Sequence, residues 1–426
     1  MALARPFFLS LFLPISVAGL LLLQKTRLKQ AWLLLCSALF LAFSLPQGGW
    51  LSLGLLLGAA LLPRLGKKGA IAAVVWALGG LLSLKLLRVP WPLGFSFIAI
   101  QGIAYALEIL RGDAPGSLGD SLLYLSFFPK VTAGPVCRFS TFSAAARQAR
   151  VSWAGLAEGL RLLILGLGKK LLLAESLLPL AQAGFQAGAH PLACLTALLA
   201  APLFVYFDFS GYTDMARGAA RMLGMTLPEN FRQPFQACSL RDFWRRWHIS
   251  LSSFLRDALY IPLGGSRRGK ARTVRNLFLV FLAMGLWHGF SWPYLLFGLW
   301  HACFTALEHL GALRPERWPR PLARGYTLGV AAVGFTLFLA PSLPQFACVF
   351  SGLFHPGNFS SWQQCLALLS PTALLALAAS ACLALFPFRL PKKAAVLRVP
   401  ALLLLLIVCY AHLLAQGYSP FLYAQV

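Results

Sequence analysis

A series of apolar runs constrains this chain more than any other feature of its sequence. Residues 6–23, 70–87, 93–110, 156–180 and 399–414 each approach the about 20 residues with which an α-helix crosses a bilayer. The chain is 59% hydrophobic with a mean hydropathy of +0.73, and a soluble domain of that composition would expose large apolar patches. The sequence therefore predicts an all-α polytopic membrane protein with about eleven transmembrane helices.

Basic residues set the expected orientation of these helices. The 37 Lys and Arg outnumber the 12 Asp and Glu, and they cluster in short loops, the first of which contains Lys25, Arg27 and Lys29. Short loops rich in Lys and Arg stay in the cytoplasm, so we expect a multi-pass protein with its N-terminus outside. Positive loops beside anionic lipid explain the net charge of +25 without a nucleic-acid partner.

The first apolar run has two interpretations. Residues 6–23 could be a signal peptide cleaved after Ser16-Val17-Ala18, or a retained first helix. We favour the retained helix because a hydrophobic bundle follows directly. Since the helices of a membrane bundle share one core, we expect a single integral-membrane domain over residues 1–426, with its motifs between residues 90 and 309.

One stretch within the bundle departs from the apolar pattern. Residues 111–150 are rich in Gly, Pro and Ser and only patchily apolar. Such a segment is either a surface loop with amphipathic pieces or a re-entrant stretch buried among helices. The nine cysteines show no CxxC or CxxH pairing, which argues against a thiolate metal site.

Polar residues are concentrated between residues 204 and 301. This window holds five of the twelve acidic residues, and also His248, His288 and His301. Residues 241–256 fit one helix with an apolar stripe and arginines largely away from it. With so many arginines, this helix should lie at the membrane interface or dip into the bundle. His248 lies beside the stripe, as a capping residue or as a functional one.

His288 has wholly apolar or small neighbours in the sequence. An ionisable side chain in such surroundings is costly unless it is functional, or neutral and hydrogen-bonded. Burial disfavours the charged form of imidazole, so the ring would be able to accept a proton. Gly285 and Gly289 on either side permit a close approach by another backbone or by a substrate chain. These features favour general-base catalysis on a hydroxyl.

Other functional patterns are weak or absent. His248 and His288 are forty positions apart and lack zinc-site spacing, and no Gly-x-Ser-x-Gly elbow is present. His301, Glu308 and His309 share one helix, where an interfacial cluster explains them better than a metal site. The basic residues that follow Gly264-Gly265 are either a positive-inside loop or a surface that attracts a phosphate-bearing donor: Arg267, Arg268, Lys270, Arg272 and Arg275.

Several long motifs resemble the membrane-bound O-acyltransferase family, in its branch of alginate O-acetyltransferases and D-alanyl-lipoteichoic acid transferases. They read FDFSGYTDMARG from Phe207, PENFRQPF from Pro228, DFWRRWHISLSSFLRD from Asp242, YIPLGG from Tyr260 and GLWHG from Gly285. PLGFSFIAIQGIAY from Pro92 and LSFFPKVTAGPVCRF from Leu125 are also similar. The resemblance covers roughly residues 90–309, and its motifs are long, ordered and jointly specific.

The resemblance implies a ring of helices, with re-entrant and amphipathic segments, around a central catalytic tunnel that joins a cytoplasmic donor to an outward acceptor. It assigns catalysis to His288 and a second functional role to His248. It also suggests seven substrate- or donor-binding candidates: Asp214, Asn230, Trp244, Arg245, Arg246, Trp247 and Trp287. Glu108 stands where relatives tend to carry Asp. The stretch LFLAPSL from Leu337 lacks an Arg that the family usually has there.

The resulting hypothesis is transfer of an acyl group, with acetyl favoured, across a bacterial inner membrane to a hydroxyl of an extracytoplasmic polysaccharide or of a periplasmic, esterase-like relay protein. The donor would be acetyl-coenzyme A or a carrier-protein thioester, with no bound cofactor and no metal. Two alternatives stay open on the sequence: a histidine-lined transporter or flippase, and a non-catalytic scaffold for a periplasmic acyltransferase. A transporter is disfavoured because the chain shows no inverted repeat.

Overall fold

The computed structural model describes residues 3–26, 28–43, 49–87, 94–354, 359–386, 396–416 and 421–422. Arg27 and residues 90–93 at the start of the motif region lie outside these ranges. The described part of the chain is helical and contains no strand. Its α-helices, in chain order, are α1 Leu13–Leu23, α2 Lys29–Ala42, α3 Gly49–Leu61, α4 Gly66–Leu87, α5 Phe95–Leu110, α6 Leu118–Ser126, α7 Phe139–Gln148, α8 Trp153–Gly168, α9 Glu175–Gln182, α10 Pro191–Met222, α11 Leu240–Arg246, α12 Ile249–Leu255, α13 Lys270–His288, α14 Trp292–Leu310, α15 Arg320–Leu339, α16 Leu343–Phe354, α17 Phe359–Leu368, α18 Pro371–Leu385 and α19 Arg398–Gln416.

Several of these helices are suited to a bilayer. Four helical stretches are long and apolar enough to cross it: Gly49–Leu87, Pro191–Met222, Arg320–Leu339 and Arg398–Ala415. Five shorter apolar helices, of 10–17 residues, are also present among the described residues. An all-α membrane protein is therefore confirmed, while the count of eleven spans stays a prediction.

The chain forms two compact units. The first comprises Met1–Gly168, Gly211–Glu229 and Val399–Val426, and the second comprises Lys169–Ser210 and Asn230–Arg398. Each unit is assembled from segments that are distant in the sequence. The prediction of one domain over the whole chain is not tested by this division.

In the first unit, the Pro- and Gly-containing stretch after α6 is deeply buried. Phe127, Phe128, Val131 and Ala133 have no exposed surface. The carboxylate of Glu108 accepts hydrogen bonds from the backbone N–H groups of Phe139 at 2.7 Å and Ser140 at 3.1 Å, which caps the start of α7. Burial among helices agrees with the re-entrant interpretation for residues 120–136, whereas residues 111–119 are mostly exposed, as in a surface loop.

Three helix boundaries differ from those that the sequence predicts. The apolar run over residues 192–207 predicts a helix that ends near Phe207, but in the structure this helix continues to Met222 as part of α10, so the FDFSGYTD motif is helical. Residues 341–361 follow an apolar run and are expected to form an outer loop, but they contain helix α16. The single helix predicted over residues 241–256 is wrong, because the chain breaks at Trp247 and His248 into α11 and α12.

Candidate active site

His288 is the last residue of α13, where it meets the first turns of α14. The two helices approach closely because a side chain at Gly285 would overlap the backbone carbonyl of Tyr294. A side chain at Gly289 would come within 2.6 Å of the Tyr294 ring. The predicted close approach at these glycines is thus made by the backbone and ring of another helix, which fixes the position of His288.

The imidazole of His288 lies in an aromatic pocket and is 5% exposed. The centre of its ring is 4.6 Å from that of Trp287 and 4.8 Å from that of Phe338, which meets it edge-on. Tyr294 and Phe297 complete the pocket at 6.0 and 6.4 Å. Its place at the carboxyl end of α13 favours a positive charge, since the last carbonyls of a helix carry partial negative charge. The imidazole therefore lies in water-poor surroundings, and the helix end stabilises its protonated form.

His248 occupies the break between α11 and α12 in a left-handed conformation, with φ of 42° and ψ of 52°. This backbone conformation is uncommon for a residue other than glycine and persists only where its surroundings impose it. They do so here through residues 230–232, which flank the break: the Arg232 N–H donates to the Arg246 carbonyl, and the Ile249 N–H donates to the Asn230 carbonyl, both at 3.0 Å. The PENFRQPF motif thereby holds the WHIS motif in place.

The His248 ring is 2% exposed, 4.6 Å from the Phe209 ring and 6.4 Å from the Trp287 ring. Trp287 therefore contacts both candidate catalytic histidines. His248 lies outside the apolar helices that could span a membrane. Burial lowers the pKa of His248 to about 3, so this imidazole is neutral at physiological pH and suited to donating a hydrogen bond rather than to carrying charge.

Three of the other sequence candidates support this arrangement. The Asn230 side-chain oxygen accepts from the Ser250 N–H at 3.2 Å at the start of α12. Arg246 pairs with Asp242 at 2.9 Å. Trp247 is buried in an aromatic cluster, with its ring centre 4.5 Å from Phe335 and 5.4 Å from Phe243. Their geometry favours positioning of His248 over contact with substrate.

A cavity of about 620 Å³ opens beside these helices, a volume within the range of small-molecule sites. Its lining includes two of the candidates, Trp244 and Arg245. Exposed arginines Arg241, Arg245 and Arg256 lie at its rim, whereas its inner wall is buried and largely apolar, with Phe281, Met284 and Thr305. Met284 is one helical turn before His288 on α13, about 6 Å along the axis. The cavity thus leads from a basic surface towards the candidate base.

The histidines and glutamate of α14 do not form the interfacial cluster that the sequence suggested. His301 has no exposed surface and lies among aromatic rings, 4.9 Å from Phe297 and 5.0 Å from Trp244. Glu308 instead accepts from the backbone N–H groups of Leu240 at 2.7 Å and Arg241 at 3.2 Å, which caps α11. The described residues contain no group of three or more His, Cys, Asp or Glu that could hold a metal.

Two residues differ from what the sequence analysis predicts. Asp214 belongs to the first compact unit, where it pairs with Arg217 at 3.4 Å. Thr305 lines the cavity but was not a sequence candidate. Nothing in the sequence distinguishes it from an ordinary helical threonine.

Comparison with known proteins decides the family. A sequence model of the membrane-bound O-acyltransferase family matches residues 115–350. A probable alginate O-acetylase of Pseudomonas putida is 36% identical, with 81% of this chain and 77% of the relative aligned. The chain belongs to the membrane-bound O-acyltransferase family.

Two other relatives are named for different reactions. A peptidoglycan O-acetyltransferase of Helicobacter pylori is 29% identical over 82% of this chain and 79% of the relative. A teichoic acid D-alanyltransferase of Bacillus subtilis is 30% identical over 58% of this chain and 68% of the relative. As a member of the family, this chain is a multi-pass membrane O-acyltransferase. The transporter and scaffold alternatives are not favoured.

Gly285→Ala in this O-acyltransferase should destabilise the α13–α14 contact by about 1–3 kcal/mol and lower turnover, because the new methyl group overlaps the Tyr294 carbonyl. Thermal unfolding in detergent and turnover of the purified variant measure both effects. Gly329→Ala on α15 is the matched control, since no atom lies within 4 Å of its added methyl group. An unchanged melting temperature for Gly285→Ala would contradict the close-packing argument.

Proposed function

We propose that this enzyme transfers an acetyl group from a cytoplasmic thioester to a hydroxyl group on the opposite side of the membrane. The observation that carries the proposal is the buried His288 at the end of α13, one helical turn from an arginine-rimmed cavity. The base and the donor pocket are thus on the same helix. Consumption of acetyl-coenzyme A by the purified protein tests the proposal.

His288 acts as the general base. The acceptor oxygen attacks the carbonyl carbon of the thioester while the imidazole accepts the hydroxyl proton. The tetrahedral intermediate then collapses with cleavage of the carbon–sulfur bond, and the imidazolium returns its proton to the leaving thiolate. The products are an acetyl ester and a free thiol. The carboxyl end of α13 favours the transient imidazolium.

His248 stabilises the reaction from the other side of Trp287. As a neutral imidazole in a water-poor pocket, it can donate a hydrogen bond to the oxyanion that develops on the thioester carbonyl. Its strained backbone fixes the direction of the ring before the reaction starts. Asn230 and Arg232 hold that backbone through their hydrogen bonds to residues on both sides of the break.

The donor occupies the cavity. Guanidinium groups bind phosphate through charge-assisted hydrogen bonds, so Arg241, Arg245 and Arg256 suit the phosphates of coenzyme A or of a carrier's prosthetic arm. The apolar inner wall suits the methylene groups of that arm. The donor is a substrate, and the reaction as proposed needs no metal and no bound cofactor.

The acceptor is proposed to be an extracytoplasmic polysaccharide, reached directly or through a periplasmic esterase-like relay protein. The relatives named for alginate and peptidoglycan support a polysaccharide acceptor, and their bacterial origin supports a bacterial inner-membrane location. The basic loops support anionic lipid neighbours and an outside N-terminus. About eleven spans around a central tunnel would complete this arrangement.

Arg245→Gln should raise the KM for acetyl-coenzyme A by about tenfold with little change in kcat, because it removes one charge-assisted contact to phosphate. Initial rates at several salt concentrations measure this, and the difference from wild type should shrink as salt screens the rim. Arg317→Gln, an exposed arginine outside the cavity lining, is the control. Equal KM values for the Arg245 variant and wild type would place the donor elsewhere.

A further inference from the structure

The inner wall of the donor cavity contains two buried polar groups without a partner. The hydroxyl oxygen of Thr305 and the indole nitrogen of Trp244 are both inaccessible and make no hydrogen bond within the described part of the chain. Thr305 is 5% exposed as a residue, and both side chains line the cavity. A buried donor left without a partner costs free energy, so these two groups are suited to a partner that enters the cavity.

Thr305 differs from other helical threonines of the same unit. The hydroxyls of Thr273, Thr327 and Thr336 each donate to the carbonyl four residues earlier in their helix, at 3.0, 2.9 and 2.8 Å. This is the usual local bond of a threonine inside a helix. Thr305 makes no such bond in the described structure. Its hydroxyl is therefore available to a ligand in the cavity.

The position of Thr305 along the cavity follows from the α13–α14 contact. The helices are antiparallel, with Gly285 against Tyr294 and Gly298 against Phe281. Continuing this register places Thr305 level with Val274, fourteen residues before His288, or about 20 Å along the helix axis. Thr305 therefore lies nearer to the arginine rim than the reacting thioester does.

We infer that Thr305 is a positioning residue whose hydroxyl binds the hydroxyl-bearing pantoyl end of the donor's pantetheine arm, with the Trp244 indole N–H as a second hydrogen-bond donor to the arm. This inference rests on the proposed function and names the part of the donor that the cavity recognises. A pantetheine arm carries two amides between its methylene groups and a hydroxyl at its pantoyl end, which matches an apolar wall that contains two hydrogen-bond donors. With the thioester at His288, Thr305 lies about 20 Å away along the helix axis, which is beyond both amides and level with the pantoyl end of the arm. The contact fixes how far the arm enters, and hence where the thioester meets His288.

The test measures kcat/KM with donors of decreasing length. Thr305→Val keeps the shape of the side chain and removes the hydroxyl. Loss of one neutral hydrogen bond should lower kcat/KM about fivefold for acetyl-coenzyme A and S-acetyl-pantetheine. The value for S-acetyl-N-acetylcysteamine, which lacks the pantoyl end and the amide next to it, should stay unchanged. Thr305→Ser should restore the wild-type values, and Trp244→Phe should show the same dependence on the donor.

Matched controls separate this role from a structural one. Thr327→Val removes a buried hydroxyl that bonds within its own helix, and should lower kcat/KM equally for all donors or for none. Equal losses with all three donors in Thr305→Val, or no loss with any, would overturn the inference.

Binding of coenzyme A and pantetheine, measured by calorimetry, needs no acyl transfer. If wild type binds both without turnover, the proposed function fails, and weaker binding of both by Thr305→Val still supports the inference. If wild type binds neither, the inference is overturned.

Discussion

His288→Gln lowers kcat by about a thousandfold, because the amide keeps much of the imidazole's shape but cannot accept the proton of the acceptor hydroxyl. The loss should appear in kcat rather than in donor binding, since the donor cavity is lined by residues one turn or more away from His288. Release of free thiol from acetyl-coenzyme A by the purified protein measures turnover, and calorimetry measures binding of coenzyme A.

The control for this prediction is His190→Gln. His190 is partly buried, and its ring centre lies 5.0 Å from that of Trp362, outside the cavity lining. It should retain wild-type turnover. A His288→Gln enzyme with turnover within about threefold of wild type would remove His288 from the mechanism.

The second large effect is expected at His248. His248→Gly removes the imidazole but keeps a backbone that adopts φ of 42° without strain. We expect kcat to fall about a hundredfold, which is the usual cost of losing a hydrogen-bond donor to an oxyanion. His248→Ala should lose the same activity and also some stability, because alanine is strained in this conformation.

Gln233→Gly is the matched control for His248. Gln233 and His248 are the non-glycine residues with positive φ in the described structure, so a purely backbone role would affect both variants alike. The pH dependence of kcat between pH 5 and 8 should be unchanged in His248→Asn, since burial lowers the pKa of His248 to about 3. Full activity in His248→Gly would show that its backbone, and not its ring, is required.

The sequence predicted the burial of His288 because the residues around it are apolar or small over several helical turns. That signal is local. The break at His248 was not predictable in the same way, because residues 241–256 have one continuous helical pattern. Backbone hydrogen bonds from residues 230–232, distant in the sequence, impose the break.

The length of α10 was likewise not predictable from the local sequence pattern. Its polar residues predicted an end near Phe207, but the buried Asp208 carboxylate pairs with Lys170 at 2.8 Å. Lys170 lies on a π-helical segment, Lys169–Ala174, that the sequence did not indicate. A partner thirty-eight residues away thus permits a charge within an apolar helix.

Thr305 had no sequence signal at all. A threonine on a helix usually bonds its own preceding turn, and only the geometry shows that this one does not. Trp244 and Arg245 were predicted from motifs, and both line the cavity. Motifs therefore located the region of the site, whereas the division between contact residues and supporting residues required the contacts themselves.

The most direct test of a transmembrane acyl transfer uses the purified enzyme in sealed proteoliposomes. Acetyl-coenzyme A labelled in its acetyl group is supplied on one side, and a polysaccharide acceptor, with any periplasmic relay protein, is enclosed on the other. We predict that label appears as an ester on the enclosed acceptor, and that His288→Gln abolishes it. Label that enters the lumen without ester formation, or ester that forms only on the side of the donor, would contradict transfer across the membrane.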